Sequence, residues 1–97
     1  MVAWARVTRG DVLRAVEEYD RLGAQRFLSD HGFGAARSYE LVIDGRRYPS
    51  KAILGVAYKL ATGQRLGSGD FEGGKGGAAG VLGKLGFEVE AARRQDR

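Results

Sequence analysis

The sequence predicts an α+β fold: a small single domain holding a helical hairpin, a β-hairpin, two further helices and a short third strand. Three observations lead there. Helix-spaced apolar residues follow a capping signal at Thr8, an Asp-Gly pair separates two stretches suited to strands, and 97 residues suffice for one core only.

Thr8 is followed three residues later by Asp11, and Val12, Leu13, Val16, Tyr19 and Leu22 supply an apolar stripe. The predicted helix covers about Arg9 to Leu22 and stops at Gly23. Ala24 to His31 repeats the device in short form, with Phe27 and Leu28 buried and Gly32 as terminator, so two helices form a hairpin. Ser38-Tyr39-Glu40-Leu41-Val42-Ile43 is rich in aromatic and β-branched residues, Asp44-Gly45 offers a two-residue turn, and Arg46-Arg47-Tyr48 returns. Such a turn sets Ile43 opposite Arg46, Val42 opposite Arg47 and Leu41 opposite Tyr48. Tyr39, Leu41 and Tyr48 then share one face, and Arg47 lies on the other.

Pro49-Ser50-Lys51 opens a helix with Ala52, Ile53, Val56, Ala57 and Leu60 at helical spacing, closed by Thr62-Gly63 and expected to be the most buried. Gly67 to Gly77 is a glycine-rich loop interrupted by Asp70-Phe71-Glu72 and by Lys75, with Phe71 pinning it to the core. Ala78 to Leu85 reads as a glycine-weakened helix ending at Gly86. Phe87-Glu88-Val89 reads as a short strand able to join the hairpin. The domain takes residues 1–90, and 91–97 is a frayed basic tail or a linker to the rest of a longer protein.

The composition narrows the chemistry. The chain has no cysteine and one histidine, His31, which excludes disulfides, thiolate catalysis and zinc fingers. No metal or cofactor is expected. Asp70 and Glu72 lack a third ligand, and His31, just before a helix-ending glycine, suits the negative end of a helix dipole. Gly69 to Gly76 follows phosphate-loop spacing as far as Lys75, but position 76 is glycine where a hydroxyl must hold magnesium. Nothing assembles a nucleophile, a base and oxyanion donors, so the domain is not expected to be an enzyme. With no long apolar run and no secretory signal, a cytoplasmic, membrane-free protein is expected.

The formal net charge of +4 is unevenly spread. Residues 11–30 carry more acids than bases, whereas 37–65 hold six bases against Glu40 and Asp44, and arginine outnumbers lysine three to one. Arginine favours forked contacts to phosphate or guanine, although a GC-rich genome gives the same bias. Three anion-binding devices lie near this region. Arg46-Arg47 sits on the returning strand of a hairpin that can enter a duplex groove, with a solvated strand edge as the plain alternative. Ser50-Lys51 sits at a helix start, where dipole, hydroxyl and ammonium meet, with a simple N-cap serine as the alternative. Gly73-Gly74-Lys75-Gly76-Gly77 offers amides and a lysine that could cradle a phosphate, or a merely flexible loop. Phe27, Tyr39, Tyr48, Phe71 and Phe87 fit core positions. Trp4, Phe33 and Tyr58 are less constrained, and Trp4 could stack on a base or cover an edge of the core.

Tyr48-Pro49-Ser50-Lys51-Ala52-Ile53-Leu54-Gly55-Val56-Ala57, then Thr62-Gly63, Asp70-Phe71-Glu72-Gly73-Gly74 and Leu85-Gly86-Phe87-Glu88-Val89, together resemble the N-terminal head domain of McrA-like type IV, modification-dependent restriction endonucleases. The resemblance covers about residues 8–90. It implies a DNA-binding accessory domain of a longer nuclease that also carries an SRA-like 5-methylcytosine reader, a phosphorothioate reader and a C-terminal HNH catalytic domain, none of them within these residues. It places binding chiefly at Tyr48, Ser50 and Lys51. Gly76-Gly77-Ala78-Ala79-Gly80 is richer in glycine and alanine than that pattern, which weighs against a rigid phosphate clamp there.

The expected function is therefore a non-catalytic duplex-DNA-binding module of a restriction system. Phosphate contacts come from Arg46, Arg47, Lys51 and Lys75, with Ser50 and the Gly73 and Gly74 amides as neutral donors and Tyr48 beside the hairpin arginines. Reading of 5-methylcytosine or another modification is a further capacity. The expected partners are double-stranded DNA and the other domains of the parent endonuclease. The alternative is a protein-interaction or dimerisation head, forming a homodimer, that orients the nuclease.

Overall fold

The computed structural model describes residues 2–34 and 39–91. A 3-10 turn, Trp4–Arg6, leads into α1 (Arg9–Leu22) and α2 (Ala24–His31), followed by β1 (Tyr39–Ile43), β2 (Arg46–Pro49), α3 (Ser50–Thr62), α4 (Ala78–Lys84) and β3 (Glu88–Ala91). The α+β class and the element order agree with the sequence reading. Ser38, read as the start of the first strand, and the tail from 92 onward lie outside the described residues.

Local chemistry accounts for each boundary. Thr8 Oγ1 accepts from the Asp11 N–H at 3.2 Å and Asp11 Oδ2 accepts from the Thr8 N–H at 3.0 Å, a closed capping box at the start of α1. Burial pushes the Asp11 carboxyl up, but hydrogen bonds from the Thr8 N–H and hydroxyl and from Arg14 outweigh it, and the net pKa lies below the ordinary value. Gly23 separates α1 from α2, and Gly32 closes α2 in the left-handed conformation. Asp44 and Gly45, at φ 53° and 80°, make the two-residue turn whose twist matches the flanking strands. The register is the one the turn dictates, Leu41 opposite Tyr48 and Val42 opposite Arg47.

The sheet order is β2-β1-β3, all antiparallel, so β3 pairs along β1 and makes it the central strand. β3 begins at Glu88, one residue later than predicted, because Phe87 still bonds back to the Leu82 carbonyl at the end of α4. One face of the sheet and the helices enclose a core of Val12, Phe27, Leu41, Ile53, Leu54 and Leu82, each fully buried. The strongly apolar α3 lies at its centre, against α1, α4 and the sheet. Two apolar stripe positions face water instead: Leu13 on α1 and Leu60 on α3 are exposed. Leu28, expected buried, is only partly so. Among the described residues no helix is long and apolar enough to cross a membrane.

Candidate functional site

The β-hairpin places its arginines on opposite faces of the sheet, and acids meet both. Arg46 Nη1 lies 3.5 Å from Asp20 of α1. Arg47 projects from the outer face, 2.9 Å from Glu40 and 2.5 Å from Glu90, so its guanidinium spans all three strands. Glu88 lies beside it, and a hydrogen bond with Glu90 together with that group's charge pushes its carboxyl above the usual range. The outer face of the sheet is thus an acidic ladder bridged by one arginine.

Tyr48 and Ser50 are buried, at 3% and 2% exposure, which corrects the expectation that they offer surface donors. The Tyr48 hydroxyl donates to the Asp20 carboxylate at 3.1 Å. The Ser50 hydroxyl donates to the Tyr39 carbonyl at 2.9 Å. Nor is Ser50 the N-cap: that position belongs to Pro49, and Ser50 is the first helical residue. Both side chains tie β2 and the start of α3 to their neighbours, and Lys51 is the first α3 side chain to emerge.

Lys51 runs along the glycine-rich loop. Its Cδ lies 3.7 Å from where a Cβ on Gly73 would be, its Nζ stands 5.4 Å from the centre of the Phe71 ring, and it donates to the Ser68 carbonyl. Phe71 anchors the loop as predicted, edge-on to Trp4 at 5.1 Å and to Phe33 at 6.2 Å. Trp4 also packs on Tyr58, whose hydroxyl accepts from the Ala3 N–H. Trp4, Phe33 and Tyr58, left open by the sequence, therefore join Phe71 in one aromatic cluster beneath the loop.

The loop is a fixed turn. The N–H groups of Gly77, Ala78 and Ala79 donate to the carbonyls of Gly74, Glu72 and Gly73 at 2.9, 2.8 and 3.4 Å. A Cβ on Gly77 would lie 2.0 Å from the Glu72 oxygen, and one on Gly80 would lie 2.1 Å from the Lys75 oxygen. Glycine is required at both positions because loop and helix backbones touch. The Gly77 amide is consequently spent on the Gly74 carbonyl, which removes it from the expected phosphate cradle. Among the described residues the N–H groups of Gly73 and Gly74 meet no acceptor.

The structure thus lays Lys51 against Gly73, on the loop that continues through Gly74 to Lys75, and pairs Arg46 and Arg47 with acids. Among the described residues neither Lys51 nor Lys75 makes an ion pair, and the same holds for Lys84 on α4. Asp70, next to this cluster, closes a local turn by accepting from the Gly67 N–H at 2.7 Å. No group of three or more potential metal ligands occurs among the described residues. His31, half-buried at the end of α2, bonds to Glu18 at 2.7 Å and packs on Phe27, linking the two helices.

Comparison with known proteins adds two findings. The family model described as "ScoMcrA-like, N-terminal head domain" matches residues 5–91. Among solved structures, the type IV phosphorothioation-dependent restriction endonuclease ScoMcrA matches with a TM-score of 0.62 and 31% identity, over 93% of this chain and 14% of that one. The chain therefore corresponds in length to a small part of that enzyme. No curated protein matches it.

Proposed function

The chain belongs to the ScoMcrA-like N-terminal head-domain family, and from this premise we propose that it is a non-catalytic, duplex-DNA-binding module of a modification-dependent restriction endonuclease. The observation that carries the reading is the cationic cluster at the glycine-rich loop. Lys51 packs against Gly73 and Lys75 follows Gly74 in the chain, and among the described residues the Gly73 and Gly74 amides meet no acceptor, on a loop whose shape is fixed by its packing. An ammonium without a carboxylate partner gains from a phosphate without first losing an ion pair. Arg46 and Arg47 must give up theirs, so they contribute less, and Tyr48 and Ser50 serve by holding the backbone from which Lys51 projects. Three to five phosphate contacts give a salt slope of roughly −3 to −4.5 in log–log form.

The nuclease activity belongs to the longer protein, for which the chain lends affinity, in the cytoplasm, to domains outside it. Reading of modified DNA is the finer possibility within this function. The chain should be titrated against one labelled duplex prepared unmodified, 5-methylated and phosphorothioated, at two salt concentrations. Equal, salt-sensitive binding to all three makes it a clamp, and tighter binding to one modified form makes it a reader. Absence of binding to any form refutes the proposal and favours the second reading, an interaction head using the acidic outer face of the sheet and the cationic loop as complementary surfaces of a homodimer.

A further inference from the structure

A groove of about 510 Å³ runs between the 3-10 turn and α4, beside the cationic loop. Trp4, Val7, Val81 and Leu85 line it with apolar surface, and Lys75 and Lys84 line it with ammonium groups. Among the described residues no carboxylate lines it. Its walls are fixed on both sides. The N-terminal wall is held by the Ala3 N–H to Tyr58 bond and by the packing of Trp4 on Tyr58 and Phe71. Arg9 reaches across to the Leu85 carbonyl at 2.7 Å and lies over the Phe87 ring, which clamps the segment after Trp4 to the end of α4. On the far side of Lys75 lies a second recess of about 260 Å³, with Tyr39 and Phe87 among its lining residues. Lys75 lines both and so stands on the ridge between them.

An indole edge over an apolar floor suits a flat aromatic ring, and ammoniums at the rim suit anions attached to it. Two aromatic-lined recesses separated by a lysine suit two successive rings joined by a phosphate. We propose that this groove binds an unstacked nucleotide of a DNA strand, the base against Trp4 and the flanking phosphates on Lys75 and Lys84. The inference rests on the DNA-binding reading and extends it, because a duplex held at the loop by phosphate contacts needs no open base, whereas this groove accepts only a base outside the stack. The preferred ligand is then single-stranded or locally unpaired DNA.

Trp4 is the single tryptophan of the chain, so its emission reports on the groove directly. The chain is titrated with an end-labelled single strand of about ten nucleotides, a length within the usual single-strand site sizes, and with the same strand in duplex. Label anisotropy and Trp4 emission are read separately, for the wild type and for Lys84→Ala. Lys84 is exposed and outside the core, so its removal leaves the fold intact. The proposal predicts that the single strand quenches Trp4 while the anisotropy rises, that the duplex quenches it less, and that Lys84→Ala weakens single-strand binding severalfold. DNA binding that leaves Trp4 emission unchanged, or quenching by the single strand that Lys84→Ala does not weaken, overturns the groove and leaves the duplex reading standing. Absence of binding by either DNA overturns both.

Discussion

The two glycines inside α4 should respond to the same substitution with opposite sign. At Gly83 an added Cβ meets open space. Gly83→Ala there removes only the excess backbone freedom of the unfolded chain and should stabilise the domain by about 0.5–1 kcal/mol. At Gly80 the added Cβ falls 2.1 Å from the Lys75 carbonyl oxygen, and since real Cβ contacts do not come below 3.0 Å, the loop must withdraw by about 1 Å. That movement opens the bonds from the buried residues Ala78 and Ala79 to Glu72 and Gly73. Two bonds left unmade in a buried position cost about 3 kcal/mol together. The intrinsic gain of alanine offsets about 1 of these, leaving about 2 kcal/mol of destabilisation. For a domain of this size thermal melting should rise by about 2–8 °C in Gly83→Ala and fall by about 8–16 °C in Gly80→Ala. Melting of both variants by circular dichroism is the assay. Two shifts of the same sign would refute the reasoning, since the loop would then not be packed on α4 and Lys75 would have no fixed position.

Thr8→Ala should cost about 1 kcal/mol through loss of the α1 cap. Because the folded Asp11 pKa lies below its unfolded value, the stabilisation it supplies is present above the ordinary carboxylate pKa and is lost as pH falls through the folded value; urea melts should show a shallower acid limb in Thr8→Ala than in the wild type. At the alkaline end, burial is the first cause that raises Tyr19, and burial with the Asp20 hydrogen bond raises Tyr48. Both keep their protons in the fold, so their contribution is present below the ordinary tyrosine pKa and lost as pH rises through the raised values. Tyrosinate absorbance should show Tyr19 and Tyr48 ionising late, together with unfolding. Arg47→Ala leaves Glu40 and Glu90 opposite each other on β1 and β3 without a cation between them, which should lower the melting temperature while weakening DNA binding less than Lys51→Ala does, as melting and anisotropy together would show.

Much of this architecture is legible in local sequence because its determinants are local. Thr8 and Asp11 cap α1 three residues apart, and Asp44-Gly45 alone sets the register of four cross-strand pairs by adopting positive φ at both positions. The site was less legible, because its occupancy is set by distant partners. A serine at a helix start looks the same whether its hydroxyl faces water or, as here, a carbonyl eleven residues earlier on β1. Arg47 reads as free until β3 pairs with β1 and brings Glu90 beside it. The glycine-rich loop reads as flexible because the contacts that fix it are between backbones, with Glu72 and Lys75 carbonyls against Gly77 and Gly80, and no side-chain pattern announces them. Trp4 could be placed only once Tyr58 and Phe71 converged on it from more than fifty residues away.

The salt dependence of duplex binding, measured for the wild type and for the Lys51→Ala/Lys75→Ala double variant, tests the central claim most directly. The wild type should bind with a log–log slope of roughly −3 to −4.5, and the double variant should bind more weakly with a slope smaller in magnitude by about 1.8, the loss of two phosphate contacts. Melting should fall only modestly, since neither lysine makes an ion pair among the described residues and what is lost is the contact of Lys51 with the Ser68 carbonyl and the Phe71 ring. An unaltered slope and affinity in the double variant, or no binding by the wild type at low salt, would contradict the account.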